Sequence, residues 1–303
     1  MRRRAAVLCA ALVLGGCGSG PATSSAPAPT APAHVTATYC TDGGTAETLD
    51  MYEPSRGTAP HPLLVVIHGG SWAFGSSALA GQNPLARMTV TAMLSRGFAV
   101  ASINYRLAPA NRWPAQIIDV RCAVRYLRAT AAHWNLDPQR FTALGTSAGA
   151  QLASLAALSA GAEPQWDNGL YAGESSGFAA VVDCWGPADL TAPGWSALAA
   201  AIAEPVFRAA VGSDSQALRD ASPVTWAHAG APPFLIIQGS RDTLVPAQQS
   251  AELQARLASA GAVATLIPVA NAEHELRPVG GAISPGLDVL TTRVVDFLQS
   301  AAG

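Results

Sequence analysis

The hydrophobic residues of this chain fall into short uninterrupted runs, separated by longer stretches in which apolar and polar positions mix. The runs are LLVVIHGG (63–70), AVASINY (99–105), FTALGTS (141–147), AAVVDCWG (179–186), FLIIQGS (234–240) and ATLIPV (264–269). They are rich in Val, Ile and Leu and lack the alternation of a strand with one wet face, so they predict strands buried on both sides. Between them, residues 85–96, 117–131, 148–159, 247–260 and 287–301 have helical length and helix-forming composition. Strand and helix alternate, which predicts an α/β fold with a mostly parallel central sheet and helices on both faces. Ahead of this pattern, VTATY and ETLDMY flank TDGG and predict an antiparallel hairpin on the sheet edge.

An open parallel sheet carries its chemistry in loops beyond the carboxyl ends of its strands. Two Gly-x-Ser-x-Gly patterns, GTSAG (145–149) and GESSG (173–177), can be sorted by that rule. GESSG follows a polar loop and runs into a strand, so Ser175 reads as a turn residue. GTSAG follows a strand and opens a helix, the context of a serine held on a sharp turn as a nucleophile. That singles out Ser147, with the Ala148 amide at the helix start as an oxyanion donor.

A serine hydroxyl needs a base near neutral pH. Among six histidines, only His274 follows the last core strand and precedes the final helix. The carboxylate that would steady it is Asp242, just after FLIIQGS, with Asp189 after the preceding strand as its rival. In HGGSW, the glycines after LLVVI let backbone approach a bound carbonyl, so the amides of Gly69 and Gly70 join Ala148 as candidate donors. His68 fits a role in orienting that loop rather than in proton transfer.

Composition narrows the classes. The 303 residues are half hydrophobic with a net charge of -2, which argues against a nucleic-acid binder. There is no lysine, so a lysine Schiff base and a Walker-type phosphate lysine are excluded. Residues 1–17 read as an export signal, basic and then apolar, and LGGC resembles a bacterial lipobox with Cys17 as the lipidated residue. An ordinary secretory signal cut nearby is the alternative. Residues 18–33 are Pro, Ala, Ser, Thr and Gly, a composition that cannot bury a core, so residues 18–34 are read as a tether and residues 35–303 as the expected folded domain. Cys40, Cys122 and Cys184 allow one disulfide of unassigned pairing, with Cys122 and Cys184 placed in apolar stretches as buried small hydrophobes. No metal or organic cofactor is implied, and nothing fixes an oligomeric state.

With these residues placed, the chain resembles the α/β-hydrolase superfamily. Within it, the likeness is to bacterial carboxylesterases related to hormone-sensitive lipase and to feruloyl and acetyl-xylan esterases of the bd-FAE type. HGGSW, NYRLAP, GTSAG, ASPVTW ahead of APPFLIIQGSRDTLVP, and AEHEL carry the resemblance in that order. It implies an α/β-hydrolase fold and an esterase acting on a small-molecule ester, with Ser147 as nucleophile, His274 as base and Asp242 as acid; the leader adds the expectation of export. Glu273 and Glu275 flank the histidine where relatives commonly have glycine, and are expected to face water. Ser71 stands where many lipase-like relatives have a third glycine. An ion pair between Arg106 and Asp119 is a further structural expectation. An amidase or peptidase with the same triad, and a catalytically silent surface binding protein, remain as alternatives. Trp72, Trp185 and Trp195 are candidate pocket residues, and the insertion from Pro187 to Ala231 is the only room for a cap, too short for a large lid. Short-chain or water-soluble esters follow as the expected substrates.

Overall fold

Leu63, Val65 and Ile67 pack into one core cluster while Leu64 and Val66 pack into another, so consecutive residues of a single run face opposite sides of the same sheet. Val181 against Val182, and Phe234 against Leu235, divide in the same way. This is why the runs are continuous: both faces of each strand are covered and neither pole of the pleat meets water.

The computed structural model describes residues 33–42, 45–162, 164–167 and 169–303. The leader, Cys17 and the tether up to residue 32 lie outside the described residues. An antiparallel pair, β1 (Val35–Asp42) and β2 (Thr45–Tyr52), forms the sheet edge as the hairpin pattern predicts. The parallel strands are β3 (His61–Ile67), β4 (Ala99–Ile103), β5 (Leu136–Thr146), β6 (Ala180–Cys184), β7 (Phe234–Gly239) and β8 (Ala264–Val269). Their order is β1-β2-β4-β3-β5-β6-β7-β8, with β2 antiparallel to β4 and every later pairing parallel. β5 starts five residues before the apolar run, because LDPQR (136–140) continues alongside β3, with the buried Leu136 paired to His61.

Helices α1 (Pro84–Ser95), α2 (Ala115–Ala129) and α3 (Ala148–Leu158) follow β3, β4 and β5, and α4 (Ala197–Phe207) and α5 (Gln216–Ala221) fold the insertion after β6. α6 (Gln248–Ser259) and α7 (Leu287–Ala302) complete the chain. α1 and α7 cover one face with Leu85, Met93, Leu290 and Leu298, while α2, α3 and α6 cover the other. α3 is buried along its whole length, as its nearly all-apolar sequence requires.

Charged side chains inside the fold are tied to specific partners. Arg106 pairs with Asp119 at 2.6 Å and with Glu47 at 3.3 Å, joining the edge hairpin to α2. Arg121 and Arg125, one turn apart on α2 and fully buried, both engage Asp167. Arg128 continues that face and donates to the Gly177 carbonyl at 2.7 Å. The second Gly-x-Ser-x-Gly pattern therefore closes a clamped turn, with Ser175 Oγ accepting from the Gly177 amide at 3.1 Å. Cys122 is not a free buried thiol: it is bonded to Cys40, fastening β1 to α2 across 82 residues of sequence, and Cys184 is left as a buried thiol. The reading from apolar context missed this because a disulfide is itself apolar and sits equally well in such a stretch.

Asp183 on β6 lies beneath α3, fully buried, accepting from Ser154 Oγ at 2.6 Å and from the Gly186 amide at 2.9 Å. Burial pushes its carboxyl up from 3.8 to about 6, against the pull of those two donors.

Two outcomes follow from these packings. Replacing Cys40 and Cys122 together with alanine should lower unfolding free energy by roughly 2–4 kcal/mol in urea titration, the usual cost of a native bridge; an unchanged midpoint would place the bridge outside the cooperative unit. For Asp183, the folded-state value is the higher one, so its contribution is complete below pH 3.8 and is lost as pH rises through about 6. Asp183→Asn, which keeps an oxygen for Gly186, should therefore gain stability relative to the parent by about 2 kcal/mol between pH 4 and pH 7. A pH-independent difference between the two proteins would refute the assignment.

Candidate active site

β5 ends at Thr146 and α3 begins at Ala148, so Ser147 alone turns the chain from strand to helix. Its backbone sits at φ 53°, ψ -121°, a conformation costing a residue with a side chain roughly 1–3 kcal/mol. Surrounding backbone holds it there. The Ser147 amide donates to the Cys184 carbonyl on β6 at 2.9 Å, and its own carbonyl accepts from Ala150 and Gln151 at 2.9 and 3.1 Å. The flanking glycines are required by contact: a Cβ on Gly145 would lie 2.2 Å from the Gly149 carbonyl oxygen, and one on Gly149 would lie 2.1 Å from that of Ile67.

From this turn Ser147 Oγ lies 2.9 Å from His274 Nε2, and His274 Nδ1 lies 2.8 Å from Asp242 Oδ2. A carboxylate only accepts, so Nδ1 carries the proton and Nε2 presents its lone pair to the serine hydroxyl. His274 and Asp242 are each only 7% exposed, which strengthens their attraction over that of a wet pair. Asp242 is itself fixed: Oδ1 accepts from the Leu244 and Val245 amides at 2.9 and 2.8 Å, and Oδ2 from Gln238 Nε2 at 3.2 Å. Ser250 Oγ in turn donates to Gln238 Oε1 at 2.9 Å. The sequence reading did not assign Gln238; its signal is a lone amide inside the apolar run FLIIQG. Asp189, the rival acid, accepts from Thr191 and Ala192 and closes its own loop.

His274 stands on a short turn after β8, and the next residue, Glu275, is left-handed at φ 61°. Asn83, which caps α1, donates to the Glu275 carbonyl at 2.8 Å and ties this turn to the other side of the site. The Glu275 side chain is exposed and that of Glu273 half-buried, so Glu275 meets the expectation fully and Glu273 in part.

The loop after β3 supplies the amides. His68 Nδ1–H donates to the Gly69 carbonyl at 2.7 Å; because a trans peptide points its C=O and N–H in opposite directions, the Gly70 amide is aimed away from His68. The His68 ring is buried and stacked on Tyr105 at 4.3 Å, and the Tyr105 hydroxyl donates to the His68 carbonyl at 3.0 Å. Burial pushes the imidazole down to about 4, so it stays neutral where Ser147 would react. Gly70 itself has φ +110°, open to glycine, with the Phe74 carbonyl oxygen where a Cβ would be. Gly69 runs beside the serine, since a Cβ there would lie 3.3 Å from that of Ser147. The Ala148 amide opens α3, where helix amides lack intrahelical partners.

Beside Ser147 and Ala148 lies a narrow, half-open cleft of about 360 Å³ counting the solvent space at its mouth. Ser71 and Trp72 form one wall, Trp195, Ala199, Ile202 and Val211 of the insertion another, and Leu244 and Val245 a third. No ionisable side chain lines it. Trp72 and Trp195 are thus placed at the cleft, whereas Trp185 is not. Trp185 is fully buried with Cys184 in the cluster under α7. Its φ of 50° breaks strand alternation, so two successive side chains turn to the same face. Among the described residues, no group of three or more His, Cys, Asp or Glu is placed to hold a metal ion.

Comparison with known proteins bears on this arrangement. The chain is 33% identical over 216 residues to esterase LipC of Mycobacterium tuberculosis, covering 70% of this chain and 52% of that protein. It is 33% identical over 243 residues to esterase LipQ of the same organism, covering 77% and 56%. The chain thus spans about half the length of these curated relatives. A truncated carbohydrate esterase from gut microbiota superposes with a TM-score of 0.73 at 26% identity, covering 90% of this chain and 99% of that one. Esterase 2 of Thermogutta terrifontis shares the fold at 23% identity and a TM-score of 0.71, covering 89% and 94%. The family model described as BD-FAE matches residues 49–257, more than half of the sequence, and the chain belongs to that family of α/β-hydrolases.

Proposed function

We propose that this protein is a serine carboxylesterase that cleaves short-chain or water-soluble esters through an acyl-serine intermediate. The observation that carries the reading is the unbroken line of hydrogen bonds from Ser147 through His274 to Asp242 at the carboxyl ends of the strands. The names of the mycobacterial relatives, both called esterases, support the ester as the bond attacked.

Ser147 Oγ attacks the ester carbonyl as its proton passes to His274 Nε2, and Asp242 stabilises the imidazolium so formed. The tetrahedral oxyanion is held by the amides of Gly69, Gly70 and Ala148, groups fixed before substrate arrives and so requiring no reorganisation. Collapse breaks the carbonyl-to-alkoxy bond, and the departing alcohol takes the proton from His274. Water then attacks the acyl-serine with His274 accepting its proton, and release of the acid restores the Ser147 hydroxyl. The uncharged, apolar cleft suits a neutral acyl group, and its size suits a small one.

The leader and tether fit an exported protein held at a bacterial cell surface through a lipid on Cys17, a reading that rests on the order of basic, apolar and LGGC segments.

Purified protein should react with a labelled fluorophosphonate at Ser147 and turn over p-nitrophenyl acetate and butyrate faster than long-chain esters or the matching anilides. Ser147→Ala should abolish labelling, and Asp242→Asn should lower kcat by about 10⁴-fold by disturbing the histidine tautomer. Turnover of anilides without esters would sink the ester assignment, and no labelling of folded protein would sink the nucleophile. Separately, Cys17→Ala should move the protein from the membrane fraction to the soluble exported fraction of a bacterial host; unchanged fractionation would dismiss the anchor.

A further inference from the structure

The polar residue least expected in α3 is Gln151, set among Ala, Leu and Gly and wholly buried. A buried primary amide needs partners for both its ends, and here the partners come from two other parts of the site. Trp72 Nε1–H donates to Gln151 Oε1 at 2.8 Å, and Gln151 Nε2 donates to the Ala221 carbonyl at 2.6 Å. Its backbone amide donates to the Ser147 carbonyl at 3.1 Å, one helical turn away. One side chain therefore joins the nucleophile helix, the loop that carries Gly69 and Gly70, and the last residue of α5 in the insertion.

That loop needs holding. Ser71 and Trp72 are both left-handed, at φ 56° and 57°, a conformation that persists in residues with side chains only where surroundings impose it. Trp72 is 4% exposed, its ring edge-on to Phe207 of α4 at 5.0 Å, and its carbonyl accepts from Ala108 at 2.9 Å. Packing and the Ala108 bond secure the ring and the backbone; the bond to Gln151 is the polar contact that refers the indole to the nucleophile helix.

We infer that Gln151 is a positioning residue that fixes the Gly69 and Gly70 amides against Ser147 through Trp72, and that it links this geometry to the insertion through Ala221. The inference rests on the esterase reading above. It identifies a residue that touches no substrate yet sets the register of the oxyanion donors. Those donors act most strongly on the charge that develops in the transition state, so their displacement should appear in kcat more than in KM.

The test uses the full chain with p-nitrophenyl butyrate. Gln151→Met keeps the shape and removes both bonds, and Trp72→Phe removes the indole donor from the other end. Each should lower kcat by about 10- to 100-fold, the scale of a roughly 1 Å misplacement, with KM within about threefold. The double variant should be no worse than the poorer single one, since both break one link. Gln151→Glu gives a readout that loss of packing does not. A protonated carboxyl accepts from Trp72 and donates to Ala221, whereas the ionised form turns a second anionic oxygen on the Ala221 carbonyl. Its activity relative to the parent should therefore fall by about tenfold or more as pH rises from 5.5 to 9.

Folded Gln151→Met with kcat within threefold of the parent, additive single effects, or a pH-independent Gln151→Glu ratio would each overturn the inference while leaving the esterase reading in place. If Gln151→Met does not fold, Trp72→Phe and Gln151→Glu carry the same comparison. A parent protein that hydrolyses no ester would overturn the esterase reading and this inference with it.

Discussion

The backbone of Ser147 is the constraint on which the site depends. A residue with a side chain is held at φ 53°, ψ -121° between a strand and a buried helix, and that conformation lifts the hydroxyl out of the sheet toward His274. The strain is offset locally: β6 receives the Ser147 amide, α3 receives its carbonyl, and two glycines without side chains allow the backbones of β3, β5 and α3 to close on one another. The same closure brings the loop after β3 alongside the serine. The position of Ser147 and the position of the Gly69–Gly70 loop are thus two results of one packing arrangement.

Buried polar side chains then do what apolar packing cannot, which is to fix direction. His68 sets the plane of the Gly69–Gly70 peptide, and Gln238 and Ser250 set the Asp242 carboxylate; nearer the surface, the half-buried Asn83 sets the turn that carries His274. Each is an amide, hydroxyl or neutral ring, able both to donate and to accept. Inside the protein such bonds are stronger than in water and an unmade one is costly, so each bond made restricts the geometry of the groups it joins. His68 illustrates the distinction between orienting and reacting: burial keeps it neutral down to about pH 4, and its proton is committed to a carbonyl.

The insertion after β6 shapes the cleft beside Ser147. α4 contributes small side chains, Ala199 and Ala203, beside Ile202, and Trp195 precedes it. The cleft they make with Trp72 is lined by apolar side chains and by the small Ser71 and Ser147, so its walls are set by packing, whereas the groups around Ser147, His274 and Asp242 are set by hydrogen bonds.

The fold was legible because it rests on signals local to the chain. Doubly buried strands must be continuously apolar, strand-and-helix alternation admits few topologies, and a serine between two glycines at a strand end leaves little else for that turn to be. Chain order alone then pointed to His274 and preferred Asp242 over Asp189, and tertiary structure brings Ser147, His274 and Asp242 within hydrogen-bonding distance. What remained illegible depended on side-chain direction. Trp185 follows a strand just as a pocket residue should, yet one left-handed φ turns it into the core. Cys122 looked like any small hydrophobe until β1 brought Cys40 to it. Gln151 and Gln238 are isolated amides in apolar runs, but the partners of Gln151 are 70 to 79 residues away and those of Gln238 are 1 to 12, and only folding decides which of those groups meet. Backbone course follows from burial pattern, which sequence records residue by residue; the pairing of polar groups follows from distances between elements, which it does not record.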